Sequence, residues 1–403
     1  MRDAPELGTA KAPHHRVRGV LLLAGILLIA ANLRPAIASV SPLLVPIGAA
    51  LGFGAFGLTA LATIPVVCFA ALAPASLPLQ RRLGLEPAML IALSVLLAGL
   101  LLRLFDAALP LFLGTALAGS AIAIGNVLLP AIVKRDFPGR IGLVTGLYTT
   151  MLNGAAAVAA AISVPLADAS GLGWRAALGF WAIPALAALM LWLPQLRHGV
   201  HRATLPRIPG GFIRLARMKR AWAVAMFMGL QSLGYYAVLS WLPAILHSVG
   251  IAPARAGLML SMTTVVAIPV ALITPGLATR GRDQRALLAL VLGVTAIGYL
   301  GLDIAPGAAP WLWVVIIGIG QGASFPLALT LIVLRAGGVV EAMSVSAFSQ
   351  AIGYAVSIAG PLGMGAIHAA TGAWWPATAF LTATLIPALL FGLAAARSET
   401  IRL

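Results

Sequence analysis

Residues 20–47 read VLLLAGILLIAANLRPAIASVSPLLVPI, an apolar stretch interrupted near its middle by Arg34 and Pro35. At about 1.5 Å per helical residue the run is long enough for the roughly 30 Å hydrocarbon core of a bilayer. Asp3 and Glu6, just upstream, fit a cleavable leader poorly, and the apolar character continues past Arg34 to Ile47. The stretch therefore reads as an uncleaved first membrane helix. The composition agrees. The 403 residues are 61% hydrophobic and 9% charged, whereas soluble domains carry about 25% charged residues. A water-facing surface cannot be covered at that charge content, and a bilayer removes the need.

Eleven further apolar runs follow, at 54–79, 86–105, 109–134, 140–168, 174–194, 219–248, 254–279, 284–303, 310–335, 340–368 and 374–396. Each is long enough to span, so the expected fold is all-α, with twelve transmembrane helices. The 43 glycines and 27 prolines suit helices packed closely in lipid. The single cysteine, Cys68, excludes an intramolecular disulfide and any cysteine metal cluster.

A formal charge of +16 would suggest nucleic acid in a soluble protein. Here the basic residues sit in short loops without interleaved aromatics, so no nucleic-acid partner is expected. If both termini are cytoplasmic, 22 of the 26 basic residues fall in cytoplasmic segments, only Arg103, Arg175 and Arg255 fall outside, and Arg34 belongs to neither side. The positive-inside rule selects that orientation. The expected location is a bacterial-type inner membrane, crossed many times. Residues 195–218 form the longest polar segment. They read as a basic cytoplasmic linker, a tether at the anionic leaflet. It divides the chain into an N-terminal segment (1–17), a six-helix bundle (18–194), the linker, a second bundle (219–396) and a tail (397–403).

The halves look duplicated. Gly125, Asn126 and Pro130, followed by Lys134 and Arg135, match Gly322 and Pro326, followed by Arg335. Tyr148 matches Phe348, and Ser41-Pro42 matches Leu242-Pro243. A shared offset near 200 residues across several helices indicates two related bundles.

All ten carboxylates lie at helix ends or in loops. No carboxylate pair, metal-spaced histidine cluster or phosphate loop is visible, so neither an enzyme nor a cofactor site is expected. Arg34 stands apart, about 24 Å along the first helix from Arg18. A charge at that depth costs about 2.5–3.5 kcal/mol on insertion scales and must face a polar cavity or a partner. With no carboxylate at the same depth, the natural counter-charge is an anionic substrate. The alternative is a structural arginine held by carbonyls freed at Pro35. Asn32, Tyr148, Asn153, Tyr235, Tyr236 and Gln350, at comparable depth, are the residues expected to complete a site. Tyr235 carries most weight among them, because the repeat offset makes it the equivalent of Arg34.

Six plus six helices around a basic linker resemble the major facilitator superfamily. The family's loop motif between helices two and three is reduced here to Arg82 and Gly84, and Arg81 stands where an acidic residue belongs. Asn32-Leu33-Arg34-Pro35, then Ser39 to Leu44, then Leu61 to Phe69, are more closely similar to the cyanate and 2-nitroimidazole transporter branch (CynX/NimT). That resemblance implies a secondary transporter working by alternating access, moving small anions such as cyanate or exporting small organic compounds. Nitrate and nitrite porters are more distant, because their additional helix arginines have no counterpart in 54–79 or 254–279. The expectation is thus a small-anion transporter with Arg34 binding the anion. The rival is an exporter of neutral or aromatic compounds such as nitroimidazoles, with Arg34 structural. A receptor or scaffold would need a large extramembrane segment, and no loop exceeds about 25 residues. The expected partners are the small-molecule substrate, membrane lipids and, as a candidate coupling ion, the proton. The expected assembly is a monomer.

Overall fold

A computed structural model describes residues 13–198 and 211–403. These residues form helices, with one isolated parallel bridge between Ala336 and Ile401. Twelve segments are long and apolar enough to span a membrane. They are α1 (Gly19–Leu43), α2 (Ala60–Leu83), α3 (Leu85–Leu102), α4 (Ala108–Asp136), α5 (Pro138–Ala169) and α6 (Trp174–Leu196) in the first half. The second half holds α7 (Lys219–Ser248), α8 (Arg255–Arg280), α9 (Arg285–Ile304), α10 (Pro310–Arg335), α11 (Val339–Thr371) and α12 (Trp375–Ala395). Within the linker expected at 195–218, a short helix covers Gly211–Ala216. Residues 199–210 of that linker lie outside the described residues.

The two halves pack alike. In the first, α4 lies against α2 and α3, and α1 against α5 and α6. In the second, α10 lies against α8 and α9, and α7 against α11 and α12. The repeat reaches individual close approaches. A Cβ on Gly119 of α4 would sit 3.0 Å from Pro65 Cα of α2. One on Gly318 of α10, 199 positions later, would sit 3.0 Å from Thr263 Cα of α8. Small residues at these points let backbones touch, which is how helices associate where lipid offers no hydrophobic drive.

Among the described residues, the segments around Arg81, Lys134, Arg220, Arg282, Arg335 and Arg397 lie together at one end, the basic face. Arg135 pairs with Glu86 at 2.6 Å, tying α4 to α3. Arg335 Nε and Nη2 donate to the carbonyls of Ala395 and Ala396, tying α10 to the end of α12. Several bonds join the halves on this side. Lys134 Nζ donates to the carbonyls of Val333 and Ala336, both at 2.7 Å. Thr149 Oγ1 reaches the Ala271 carbonyl at 3.4 Å, and Gln350 Nε2 donates to the Asn126 carbonyl at 2.9 Å. α5 and α8 approach so closely that a Cβ on Gly146 would lie 2.4 Å from the Leu272 carbonyl oxygen. Towards the opposite face, the outer part of α1 packs within its own half, where Val40, Leu43 and Ile47 cluster with Leu61, Leu111 and Leu178.

The first span is not the single continuous helix its sequence suggested. A regular helix ends at Leu33, a four-residue turn covers Pro35–Ala38, and a 3-10 turn covers Ser41–Leu43. Pro35 and Pro42 lack the amide hydrogens that an uninterrupted ladder needs. At the end of the four-residue turn the ladder tightens, and Val40 N–H donates to the Ile37 carbonyl at 3.0 Å. The Ala36 carbonyl accepts a 2.5 Å bond from Arg103 Nη1. Arg103, expected in an outer segment, is fully buried, and its Nε and Nη2 have no partner among the described residues. Its side chain turns back from the end of α3 into the bundle, so the half-buried Arg34 is not the only arginine that reaches the protein interior.

Candidate functional site

The break in α1 presents Arg34 to the seam between the halves. Arg34 Nη1 donates to the Tyr235 hydroxyl at 3.3 Å. These are the two positions the repeat makes equivalent. Equivalent residues of a pseudo-two-fold pair meet only near its axis, so the contact puts Arg34 at the centre of the bundle. The guanidinium carbon lies 5.3 Å from the Tyr235 ring centroid and 5.0 Å from that of Phe325. Both distances fall within the roughly 6 Å reach of a cation over a ring. Tyr235 in turn meets Tyr236 edge to face, with centroids 5.3 Å apart.

These residues line a cavity of about 40 Å³. The first half contributes Arg34 and Asn153. The second half contributes the rest, notably Gln231, Tyr235 and Tyr236 of α7, Thr263 and Thr264 of α8, Gln321 and Phe325 of α10, and Tyr354 of α11. Arg34 is the one charged residue in this lining, and the described residues hold no group of three or more metal-ligating side chains. The site is therefore a cation clasped by ring faces and surrounded by neutral amides and hydroxyls. Its hydrogen bond to Tyr235 is long and leaves Nη2 and Nε without a protein partner among the described residues.

Of the residues expected at the site, Arg34, Asn153, Tyr235 and Tyr236 are brought together on the cavity. Asn32 points elsewhere. Its amide donates to the Leu28 carbonyl at 2.7 Å and to the Pro184 carbonyl at 3.1 Å, clamping α1 to α6. Gln350 joins α11 to α4 through the Asn126 carbonyl, outside the lining. Tyr148 is buried in the core outside the lining, and its hydroxyl has no partner among the described residues. Phe325, Thr263 and Thr264 were not singled out from the sequence. The available signals were the Phe325-Pro326 step inside the repeat match and an adjacent threonine pair within an apolar run.

Twelve spanning helices in two similarly packed halves, enclosing a central polar cavity, define a membrane transporter. Residues 21–358 match the Major Facilitator Superfamily, and the chain belongs to that family. It is 41% identical over 377 residues to the uncharacterized transporter YycB of Bacillus subtilis (strain 168), covering 93% of each chain. To the 2-nitroimidazole transporter of Escherichia coli (strain K12) it is 38% identical over 269 residues, 66% of this chain and 67% of that one. To the cyanate transport protein CynX of the same strain it is 31% identical over 239 residues, 59% and 60% of the two chains. Among solved structures, the proton:xylose symporter XylE shares the fold, with a TM-score of 0.78 over 96% of this chain and 98% of that one at 14% identity. The expected resemblance to the cyanate and 2-nitroimidazole branch is thus shown. The protein is a multi-pass membrane transporter of small molecules, and its relatives are transporters, not enzymes.

Proposed function

We propose that the protein is a secondary transporter of a small anion and that Arg34 binds the anion. The carrying observation is the charge imbalance of the cavity: one guanidinium, with two nitrogens lacking a partner among the described residues, and no acidic residue in the lining. An anion supplies the missing counter-charge and takes up the planar fork of donors. The size supports a small substrate. A cavity of about 40 Å³, small on the scale of the roughly 10–15 Å³ that one water needs, suits a small ion. Cyanate, named for one relative, is of that size.

The transport cycle we infer is alternating access, one six-helix half rocking against the other around the central cavity. The bonds of Lys134, Thr149 and Gln350 hold the halves together towards the basic face. If the positive-inside rule fixes that face as cytoplasmic, this conformation is closed to the cytoplasm. A reporter fused beyond Leu403 then behaves as cytoplasmic, and an external signal there reverses the assignment. The bacterial inner membrane, a monomeric state and the proton as coupling ion belong to this same reading.

The aromatic lining of Tyr235, Tyr236, Phe325 and Tyr354 favours one alternative, export of neutral planar compounds such as nitroimidazoles. A ligand screen on the purified protein in detergent separates the two, using thermal protection by small inorganic anions, small carboxylates and nitroimidazoles. The anion reading expects protection by the anions at lower concentration than by any neutral compound. Protection by nitroimidazoles alone replaces it with the exporter.

A further inference from the structure

A second cavity, of about 170 Å³, lies on the basic face between the start of α7 and the end of α12. Lys219, Arg220, Arg335 and Arg397 line it, with Glu399 the one acidic residue in the lining. Glu399 pairs with Arg220, which leaves the lining with a net excess of three positive charges. The floor is fixed. Arg335 is only 5% exposed. Its Nε and Nη2 are occupied by the carbonyls of Ala395, Ala396 and Arg282, while Nη1 has no partner among the described residues. The tail closes one side, because Ile401 N–H donates to the Arg335 carbonyl at 2.6 Å and Gly337 N–H donates to the Ile401 carbonyl at 3.0 Å. α7 begins at this wall, and no side chain caps its N-terminus, so its first amides add positive potential there.

Like charges held this close repel, and nothing in the anion pathway explains keeping them together. We infer that this cavity binds a phosphate-bearing anion, either the headgroup of an anionic phospholipid from the adjoining leaflet or a soluble phosphate. The cavity has room for a phosphate group and its hydration, by the size of about 10–15 Å³ for one water. Arg335 Nη1 and the donors of Arg220 not used by Glu399 can reach phosphate oxygens with charge-assisted bonds, and Lys219 and Arg397 are exposed at the rim. A bound phosphate ties α7, α10, α12 and the tail together. It does so beside the Lys134 bond to Ala336, which holds the halves closed on this face.

The experiment uses the full chain in detergent and follows its thermal midpoint while phosphatidylglycerol, phosphatidylcholine or sodium pyrophosphate is added. Wild type is compared with the double variant Lys219→Gln/Arg397→Gln and with Arg82→Gln/Arg140→Gln, which removes the same charge elsewhere on the basic face. Phosphatidylglycerol is expected to stabilise wild type and the Arg82/Arg140 variant at equal concentrations, and phosphatidylcholine to leave both unmoved. For the Lys219/Arg397 variant the required concentration rises roughly thirtyfold, equivalent to about 2 kcal/mol at about 1 kcal/mol per cation near an anionic surface. Protection by pyrophosphate without protection by phosphatidylglycerol keeps the site and assigns it to a soluble phosphate. Equal loss in both double variants, or no protection of wild type by either phosphate source, overturns the inference. Each variant's midpoint without additive reports its folding, because all four side chains are exposed.

Discussion

Helices α1 and α7 occupy equivalent places in the two halves and are built in opposite ways. α1 is broken at Arg34 into short turns, whereas α7 is one unbroken helix, Lys219–Ser248. α1 brings the cavity its only charge, while α7 brings Gln231, Ser232, Tyr235 and Tyr236. Equivalent positions meet across the seam, so whatever one half places there confronts its counterpart. An arginine in both halves would repel itself. An arginine facing a tyrosine gains a hydrogen bond and a ring face, and it keeps its remaining donors free. The asymmetry between the repeats is thus what gives a near-symmetric scaffold a one-signed site.

The largest effect expected comes from disturbing the frame that holds α1 opposite α7. Gly146→Leu drives a side chain into the Leu272 carbonyl of α8, a backbone atom that cannot step aside. The halves then cannot close on the basic face. Uptake into cells is expected to fall to background with the protein still inserted, while Gly293→Leu, where a Cβ meets nothing within 4 Å, transports normally. Normal uptake by the Gly146 variant would break the assignment of α5 and α8 as the closing pair.

The next effect belongs to α1 alone. At its break the Ala36 carbonyl is supported by a buried arginine, Arg103. Arg103→Ala leaves that carbonyl unpaired and opens a void, at about 1–3 kcal/mol for the lost partner. The thermal midpoint should drop, and ligand affinity should change less than it does on removing Arg34. A variant as stable as wild type would show that the break supports itself.

The second half, through Tyr235 of α7 and Phe325 of α10, is expected to contribute less per group. Tyr235→Phe keeps the ring and removes the hydroxyl 3.3 Å from Arg34, a bond of about 0.5–1.5 kcal/mol, so affinity falls roughly two- to tenfold. Phe325→Leu removes a ring face without a hydrogen bond and costs about 0.5–1 kcal/mol, roughly two- to fivefold. Equilibrium titration of the purified variants checks both. A tighter-binding Tyr235→Phe would show that the hydroxyl competes with the substrate for the guanidinium.

Much of this arrangement was legible in the sequence, because the bilayer constrains length and charge so strongly. Spans read at 109–134 and 310–335 reappear as Ala108–Asp136 and Pro310–Arg335. The offset that paired Arg34 with Tyr235 corresponds to a contact in the structure. The features that escaped depend on where side chains turn. Phe325 looks like any apolar residue in α10 until the helix's rotation brings its ring under Arg34. Arg103 sits where a loop cation belongs, and only its inward path to Ala36 buries it. Asn32 and Gln350 have the polarity and depth of site residues, yet they spend their donors on neighbouring carbonyls. Spacing fixes depth along a helix, not which way a side chain faces when the helix is apolar on every side.

The central claim, that Arg34 reads the negative charge of the substrate, is tested most directly by calorimetric titration of a small anion and its neutral isostere against wild type, Arg34→Lys and Arg34→Ala. A charge-assisted contact of about 1.5–3 kcal/mol predicts that the anion binds wild type at least about tenfold more tightly than the isostere. That preference should shrink in Arg34→Lys, which keeps the charge and loses the fork. It should vanish in Arg34→Ala, whose thermal midpoint reports that it is folded. Equal binding of anion and isostere to wild type, or an undiminished anion preference in a folded Arg34→Ala, would contradict the account.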